Sequence, residues 1–206
     1  MNKDIDILIK NLNKRNMNGY FVSDRNEAVE KAFELIPENS TIGFGGSTTL
    51  EQIGILDKLR KKTNITLLDR TKLKDPNDIK KLYLQMFSSD VFLSSSNAIT
   101  MEGQLVNVDG RGNRVSMITF GPKKVIIIAG KNKITKDIDS AMKRIQTIAC
   151  PMNLKRVNDI AKNSPVFTNN KWTKESIWGQ VSIIERQLKN ENDRIHVIIV
   201  DEDLGF

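Results

Sequence analysis

Apolar residues in the first ninety positions alternate between helical and strand-like spacing. They recur every three or four positions over residues 4–16, which predicts an opening helix, and we expect residues 1–18 to form an N-terminal helical extension. Short apolar runs bounded by turn residues predict strands at residues 20–22, 40–44, 65–68 and 91–93. Helical spacing between these runs predicts helices at residues 24–36, 48–59 and 76–86, the second broken near Gly54. This alternation is typical of a parallel sheet covered by helices.

The pattern changes after the fourth strand, because residues 98–129 show short apolar runs and turn residues without helical spacing. Residues 107–113 read NVDGRGN, and their Asp-Gly and Gly-Asn pairs are typical of a hairpin turn. The apolar run at residues 115–120 predicts the strand that leaves this turn. The sequence therefore predicts an α/β fold, a three-layer sandwich with a mainly parallel sheet and an antiparallel excursion around residues 98–129.

The remaining pattern completes a single domain over residues 1–206. A continuous apolar run predicts a buried strand at 124–129, and a helix is predicted at 137–149, where Cys150-Pro151 should break it. Further predicted elements are a helix at residues 153–161, strands at 181–185 and 195–200, and an irregular flap at 162–180.

Charge and composition narrow the class of protein. The 206 residues are 39% hydrophobic and carry a formal net charge of +7. The lysines are spread along the chain, which favours a solvated surface over a nucleic-acid face, so we expect nucleic acid not to be the partner. We predict a cytoplasmic protein, because the first residues lack the apolar core of a signal peptide and no apolar run is long enough to span a membrane.

The segment TIGFGGSTTLEQIG, residues 41–54, is the first candidate site. It fits neither the dinucleotide fingerprint, whose third glycine is replaced by Thr48, nor a P-loop, which needs a lysine. We expect Gly45 and Gly46 to adopt positive φ, and Ser47 and Thr48 to offer hydroxyls at a helix N-terminus. Such a loop suits a phosphate or carboxylate, although a tight turn with an ordinary cap explains the same residues.

The segment SSSNAITMEGQLVNVDGRGNR, residues 94–114, is the second candidate site. It follows a predicted strand, and in a doubly wound sheet ligands bind at the carboxyl ends of strands. Asn97 and Thr100 are then candidate binding residues, and Glu102 is a candidate general base or nucleophile. An exposed glutamate in a turn is the alternative. Asp109 and Arg114 could shape the pocket, with Arg114 reaching back to an anion.

Several other motifs argue against particular chemistries. Residues 107–118 do not form an EF-hand, because the twelfth position is Ile118 and not a glutamate. With a single histidine, His196, and a single cysteine, Cys150, a Cys/His zinc site is excluded and we predict no metal and no cofactor. We expect both residues to be structural, and Trp172 and Trp178 to lie in a surface flap or a subunit contact.

Five segments together resemble the LUD (lactate utilisation) domain family over nearly the whole chain. They are IGFGGSTTLEQIG, SDVFLSSSNAITMEGQLVNVDGRGNRV, FGPKKVIIIAGKNKI, PMNLKR and HVIIVDEDLGF. The resemblance implies a fold like the NagB/RpiA/CoA-transferase superfamily, in which ribose-phosphate isomerases hold a phosphate on a Gly-x-Gly-Ser-Thr loop. It also implies a role near lactate oxidation, alongside iron–sulfur partner proteins.

The chain departs from this family in two places. The usual glutamate position after Asn-Ala-Ile-Thr is Met101, with Glu102 one place later, and a one-residue shift in a strand turns a side chain to the other face. Many family members also carry a late cysteine cluster, and this chain has Trp172 and Trp178 near that place instead.

Three functions follow as hypotheses. The first is a protein that binds a small anionic metabolite through Gly45, Gly46, Ser47 and Thr48. The second is a non-catalytic accessory subunit of an iron–sulfur oxidoreductase complex, and the third, which the charge pattern disfavours, is a nucleic-acid-binding protein. A homo-oligomer is compatible with each, and the sequence does not establish that there is a reaction.

Overall fold

The computed structural model describes residues 3–162 and 172–206. Its strands are β1 (Asn18–Val22), β2 (Thr41–Phe44), β3 (Thr66–Leu68), β4 (Val91–Ser94), β5 (Ala98–Thr100), β6 (Leu105–Asp109), β7 (Lys124–Gly130), β8 (Ile134–Thr135), β9 (Gln180–Ile184) and β10 (Ile195–Val200). Its helices are α1 (Lys3–Lys14), α2 (Arg25–Leu35), α3 (Thr48–Gln52), α4 (Ile55–Arg60), α5 (Pro76–Phe87), α6 (Asn113–Thr119), α7 (Ile138–Arg144), α8 (Cys150–Lys162) and α9 (Lys174–Ile177). The α/β class predicted from the pattern is confirmed.

Six strands form a parallel sheet in the order β1-β10-β7-β4-β2-β3. Its central strands are buried on both faces, as the continuous apolar runs indicate. In β7, for example, Ile126 and Ile128 pack into a core with α2, α3 and α4, whereas Val125 and Ile127 pack into a core on the opposite face. The sheet is therefore covered on both sides, which gives the layered sandwich.

Helix α1 is part of the second core. Leu8 and Leu12 are fully buried there, and α1 packs against β1 at the edge of the parallel sheet. The predicted N-terminal helix is therefore present and contributes directly to the packing of the domain.

Local sequence signals explain where α2 and α3 begin. Asp24 caps α2 by accepting hydrogen bonds from the N–H groups of Asn26 and Glu27, while the Glu27 carboxylate accepts one from the Ser23 N–H. The first bond pair is an ordinary Asp N-cap, and the Glu27 carboxylate extends it one residue further back along the chain than a capping box would. The break predicted near Gly54 is also present, because Gly54 has a φ of 69° and separates α3 from α4.

A second sheet, β8-β5-β6-β9, covers part of the parallel sheet and carries the antiparallel pairs. The hairpin predicted at residues 107–113 is wrong. The chain instead turns between β5 and β6, where Gly103 has a φ of 88°. Residues 107–113 lead into α6, so the strand predicted at 115–120 is a helix. Val115 and Ile118 lie three positions apart on it, a spacing that a short helix and a strand can both present.

The helix break predicted at Cys150-Pro151 is also wrong. A π-helical turn, Ile145–Ala149, joins α7 to α8 and keeps the chain helical through the proline. A proline lacks the N–H and crowds the carbonyl four residues earlier, and a wider π turn accommodates both defects.

The predicted flap at 162–180 falls partly outside the described residues, which omit 163–171. Its described part contains α9 and the start of β9. None of the helices within the described ranges is long and apolar enough to cross a membrane.

Candidate functional site

A cavity opens at the carboxyl ends of the parallel strands, which we call the carboxyl edge. After β2 the chain enters α3 on one face of the sheet, and after β4 it enters the second sheet on the other face. The two loops diverge between neighbouring strands, and ligands of open α/β sheets bind at such a switch point. The cavity has a volume of about 260 Å³. Its polar lining includes Gly46, Ser47, Thr48, Thr49, Arg70, Tyr83, Ser95, Ser96, Asn97, Asp109, Arg111, Asn113, Arg114, Lys133, Asn153 and Arg156.

The glycine loop between β2 and α3 forms one wall of this cavity. Ser47 caps α3, its Oγ accepting a hydrogen bond of 3.3 Å from the Leu50 N–H. Positive φ was expected at Gly45 and Gly46, but neither adopts it. Close packing explains these glycines instead. A β-carbon at Gly45 would lie 3.3 Å from Arg114 Cδ, and one at Gly46 would lie 2.6 Å from Arg70 Nη2.

Helix α3 contributes little to anion binding by itself. It has only five residues, so its dipole is small, and Ser47 already satisfies one of its first N–H groups. The attraction for an anion comes instead from the cationic side chains described next.

Arg114 is the centre of a buried hydrogen-bond network. Its Nη1 donates to the Ser95 carbonyl at 3.1 Å and to Asn107 Oδ1 at 2.7 Å, and its Nη2 donates to Asn97 Oδ1 at 2.8 Å and to the Val108 carbonyl at 2.8 Å. These bonds use every terminal N–H of the guanidinium. Arg114 therefore fixes the loop after β4 to β6, and it adds positive charge to the cavity without a terminal N–H left for a ligand.

Asn97 and Asp109 complete this network. Asn97 Oδ1 also accepts from the Val108 N–H at 2.9 Å, and Asn107 Oδ1 accepts from the Asn97 N–H at 3.2 Å. Asp109 Oδ2 accepts from the backbone N–H groups of Arg114 and Val115, and it lies 4.0 Å from Arg114 Nε. Asp109 thus holds the start of α6.

Two further guanidinium groups lie beyond Gly46. A β-carbon there would be 2.6 Å from Arg70 Nη2 and 3.6 Å from Arg156 Nη2, which places both groups against the glycine loop. Arg70 Nη1 donates to Tyr83 Oη at 3.1 Å, and Arg156 Nη2 donates to Asn153 Oδ1 at 2.8 Å. Neither guanidinium forms a salt bridge within the described residues.

Lys133 is the most deeply buried cation of the lining, with 3% of its surface exposed. Its Nζ donates to Thr49 Oγ1 at 2.8 Å and to Ser95 Oγ at 2.9 Å, which joins the glycine loop to the loop after β4. Burial, and then the nearby Arg144 and Arg114, lower the pKa of Lys133 to about 7. Burial also lowers the pKa of Arg114 and that of Arg156.

The charge of the lining is one-sided. Its cations are Arg70, Arg111, Arg114, Lys133 and Arg156, and among the described lining residues Asp109 is the single acidic side chain. Two lining atoms, Thr48 Oγ1 and Arg70 Nε, are buried without a hydrogen-bond partner among the described residues, and Asn107 Nδ2 is a third such atom. An unpaired buried polar atom costs about 1–3 kcal/mol, and such atoms mark places where a ligand or water could bind.

The structure brings together some of the residues expected from sequence. Gly46, Ser47, Thr48, Asn97, Asp109 and Arg114 all line the cavity, and Gly45 packs directly behind it against Arg114. Thr100 does not line it, because its hydroxyl donates to Gln104 Oε1 in the turn between β5 and β6.

Glu102 lies away from the cavity, at the exposed turn between β5 and β6. Its side chain is 69% exposed and lies 3.3 Å from Arg15 Nη2 in a surface ion pair. Glu102 therefore does not share the cavity with the glycine loop. Its position is that of an exposed glutamate in a turn, which was the alternative interpretation.

Sequence reasoning missed Arg70, Lys133 and Arg156. Arg70 and Lys133 each follow a strand of the parallel sheet, so their place at its carboxyl edge could have been read from the strand ends. No comparable signal exists for Arg156, which reaches the cavity from α8 only because the helix continues through Pro151.

The residues expected to be structural have structural environments. His196 lies buried in β10, stacked on Tyr20 with its Nδ1 3.1 Å from the tyrosine oxygen, and burial lowers its pKa. Cys150 is buried, which raises the pKa of its thiol. Over residues 3–162 and 172–206, no three His, Cys, Asp or Glu side chains are grouped as they would be around a metal ion.

Comparisons with known proteins agree with this architecture. The model of the LUD domain family matches residues 5–200. A crystal structure of a DUF162 family protein from Deinococcus radiodurans is similar in fold, with a TM-score of 0.54 at 11% identity over 96% of each chain. No curated protein sequence matches the chain significantly.

Two sugar-phosphate isomerase structures resemble parts of the chain. One is a ribose 5-phosphate isomerase from Plasmodium falciparum, with 23% identity, a TM-score of 0.35, and coverage of 54% of this chain and 52% of that one. The other is a D-ribose-5-phosphate isomerase in complex with phospho-erythronic acid, with 14% identity, a TM-score of 0.35, and coverage of 68% and 65%.

Proposed function

This chain belongs to the LUD domain family, and from that premise we propose that its carboxyl-edge cavity binds a small anionic metabolite, a carboxylate or a phosphate. The observation that carries the proposal is the imbalance of charge in the lining, where five cationic side chains face one acidic side chain. An anion entering the cavity would offset the cost of burying these cations.

The cationic groups with unused hydrogen-bond donors define the binding surface. Arg70 donates once, to the Tyr83 hydroxyl, and Arg156 donates twice, to the Asn153 side-chain oxygen, so among the described residues their other N–H groups have no protein acceptor and could bind a ligand. A planar guanidinium pairs with a carboxylate or phosphate through two parallel hydrogen bonds. Ser47 and Thr48 would add hydroxyl contacts at the glycine loop, with Asn97 on the facing loop.

The positioning residues differ from these binding residues. Arg114 and Asp109 hold the two loops in place, and Gly45 and Gly46 leave room for Arg114 and Arg70. Because Glu102 lies outside the cavity, we assign it no part in binding. A role near lactate or other small organic-acid metabolism, which the family name suggests, belongs to the same proposal.

Calorimetric titration tests the proposal. Lactate, pyruvate, inorganic phosphate and a sugar phosphate should be titrated separately into the full chain, and we expect at least one to bind. Gly46→Val should abolish binding because its side chain would displace Arg70. Arg25→Met is the matched control, since Arg25 pairs with Glu202 outside the cavity and its loss should leave affinity unchanged. Absence of binding by every anion would overturn the proposal.

A second candidate is the role of an accessory subunit, which one surface favours. Strand β9 is the outer strand of the second sheet, and Val181 and Ile183 on it are 46% and 40% exposed. Exposed apolar residues on an edge strand can pair with another chain. A pull-down from the native cell with the unsubstituted chain and with Val181→Lys would test this. Recovery of no redox partner by the unsubstituted chain would argue against the accessory role. A gel shift at physiological salt separates both candidates from nucleic-acid binding.

A further inference from the structure

Lys133 differs chemically from the other cations of the cavity. It lies in the 3₁₀ turn Lys131–Lys133 that follows β7, and its amine is enclosed between Thr49 and Ser95. An arginine stays charged in any protein environment, whereas a buried lysine can lose its proton.

The surroundings of Lys133 favour the neutral amine. Lys133 forms no salt bridge among the described residues, and the charged groups that act on its amine are the cations Arg144, from α7, and Arg114, from α6. Burial and like charge both disfavour an ammonium, and together they bring the pKa of Lys133 to about 7. A large share of the molecules therefore carry a neutral amine at neutral pH.

The hydrogen bonds around Nζ fit the neutral form. Thr49 Oγ1 donates to the Leu204 carbonyl and Ser95 Oγ donates to the Ser96 carbonyl, so both hydroxyls accept from Lys133. A neutral amine has two protons, and these two bonds use both. Its lone pair is left over, on a residue that lines the cavity.

We propose that Lys133 is a nucleophilic amine that condenses with the carbonyl carbon of a small 2-oxo acid. This proposal rests on the proposed function, because the carboxylate of the 2-oxo acid would be held by Arg70 and Arg156. The ligand class follows from the two groups combined. The guanidinium groups select an anion, and a neutral amine reacts with an electrophilic carbonyl, as desolvated lysines do in enzymes that form Schiff bases.

The chemical step balances without a further reactant. The Nζ lone pair attacks the carbonyl carbon and forms a C–N bond, giving a carbinolamine. The carbonyl oxygen then leaves as water, carrying the two hydrogens that the amine loses, and an imine remains. Hydrolysis reverses the sequence, so the free amine is regenerated.

Reductive trapping tests this inference. The full chain is incubated at pH 7 with pyruvate and cyanoborohydride, which reduces an imine to a stable secondary amine, and is then mapped by mass spectrometry after trypsin. We expect the adduct on Lys133, seen as loss of cleavage there and a modified peptide covering residues 132–136. Acetone, a ketone without a carboxylate, should label Lys133 at least about tenfold more slowly, because it is not concentrated in the cavity.

Two variants control the experiment. Lys133→Arg keeps the positive charge but removes the nucleophile, so labelling at residue 133 should disappear. Lys131→Met is the matched control, because Lys131 is half-exposed and pairs with Asp201, and its loss should leave the labelling of Lys133 unchanged. If Lys133→Arg fails to fold, peptide mapping of the labelled chain without any substitution still shows whether the adduct is on Lys133.

The outcomes separate this inference from the proposed function. Calorimetric binding of pyruvate without an adduct on Lys133 would overturn the inference and leave anion binding intact. An adduct distributed over the surface lysines, with no excess on Lys133, would also overturn it. Failure of every tested anion to bind, together with no adduct, would overturn both proposals.

Discussion

The two ends of the parallel sheet both carry lysines and arginines, but these cations have acidic neighbours at one end and few at the other. The amino ends of the strands border a second cleft, with a volume of about 660 Å³, which is larger than the cavity at the carboxyl edge. Its lining is balanced in charge, with the acids Glu38, Asp90, Glu191 and Asp193 and the bases Lys123, Lys124 and Arg194.

The cations at the amino end are paired with carboxylates or carbonyls of the protein itself. Lys123 Nζ lies 2.8 Å from Asp90, and Lys124 Nζ lies 3.5 Å from Asp193. Arg194 donates to the carbonyls of Met117, Ile118, Phe120 and Pro122, at the end of α6 and just beyond it. The larger cleft is therefore the one whose cations are paired within the protein, whereas the smaller cavity contains guanidinium groups that form no salt bridge among the described residues. The proposed anion site rests on this unpaired charge and not on volume.

The largest effect on stability and anion affinity should come from Arg114. Like Arg194, it donates several hydrogen bonds to acceptors within the protein. Arg114→Met leaves buried acceptors unpaired and should lower the free energy of unfolding by about 3 kcal/mol. Because the loop after β4 is then no longer held, anion affinity should fall as well. Arg194→Met should also destabilise the fold while leaving affinity unchanged. Urea unfolding and calorimetry measure both quantities, and equal loss of affinity in the two variants would remove the contrast between the ends.

The next effect on anion affinity concerns Arg70 and Arg156, which form no salt bridge with any described residue. Arg70→Met or Arg156→Met should weaken anion binding about tenfold to a hundredfold, the range for one charge-assisted contact. Stability should hardly change, since neither side chain closes a network. Lys123→Met at the amino end is the matched control for the loss of one positive charge. A comparable loss of affinity in that variant would show that net charge, and not the cavity, attracts the anion.

A smaller effect should appear in the pH dependence of the free energy of unfolding, through Lys133. Its pKa of about 7 in the folded protein is below the ordinary value of 10.5, so between these values the unfolded chain binds the extra proton. The destabilisation is therefore fully present below about pH 7 and is relieved as pH rises. Lys133→Met should therefore raise the free energy of unfolding near pH 7. This gain should be about 2 kcal/mol larger near pH 7 than near pH 9. Thermal unfolding across this range measures the difference, and a constant difference would contradict it.

The smallest effect should come from Asp90 at the amino end. The hydrogen bond from Lys123, and then that from the Thr41 N–H, hold the pKa of Asp90 below its ordinary value of 3.8. The stabilisation is therefore present above pH 3.8 and lost as pH falls through the lower folded value. Asp90→Asn should slightly lower the free energy of unfolding at pH 7, and this difference should vanish in acid. The effect is small because the ion pair is exposed and screened. Anion affinity should not change.

The parallel part of the fold could be predicted because each of its elements has a local cause. Strand β7 is a continuous apolar run, and the cap at Asp24 and the break at Gly54 follow from single residues. The segment that becomes α6 lacked such a cause. Its apolar positions fit either a strand or a short helix. Its last carbonyls accept hydrogen bonds from the guanidinium of Arg194, a contact distant in sequence that the apolar pattern does not show.

The candidate site could be predicted only in part, for the same reason. The glycine loop and Asn97 follow strands, so their place at the carboxyl edge could be inferred from the order of elements. The role of Arg114 could not, because it depends on acceptors from β6 and from the loop after β4. Glu102 has the chemistry of a general base or nucleophile, but the turn that carries it faces solvent.

The π-helical turn before Pro151 sets the rotational phase of α8. A π turn contains one residue more than the α-helical turn it replaces, and each residue of an α-helix advances the chain by about 100°. Winding Ile145–Ala149 as an ordinary α-helical turn, with no residue removed, would therefore rotate the rest of the helix by about that angle and carry Arg156 and Asn153 away from the cavity. The wider winding of this turn therefore determines which side of α8 faces the cavity.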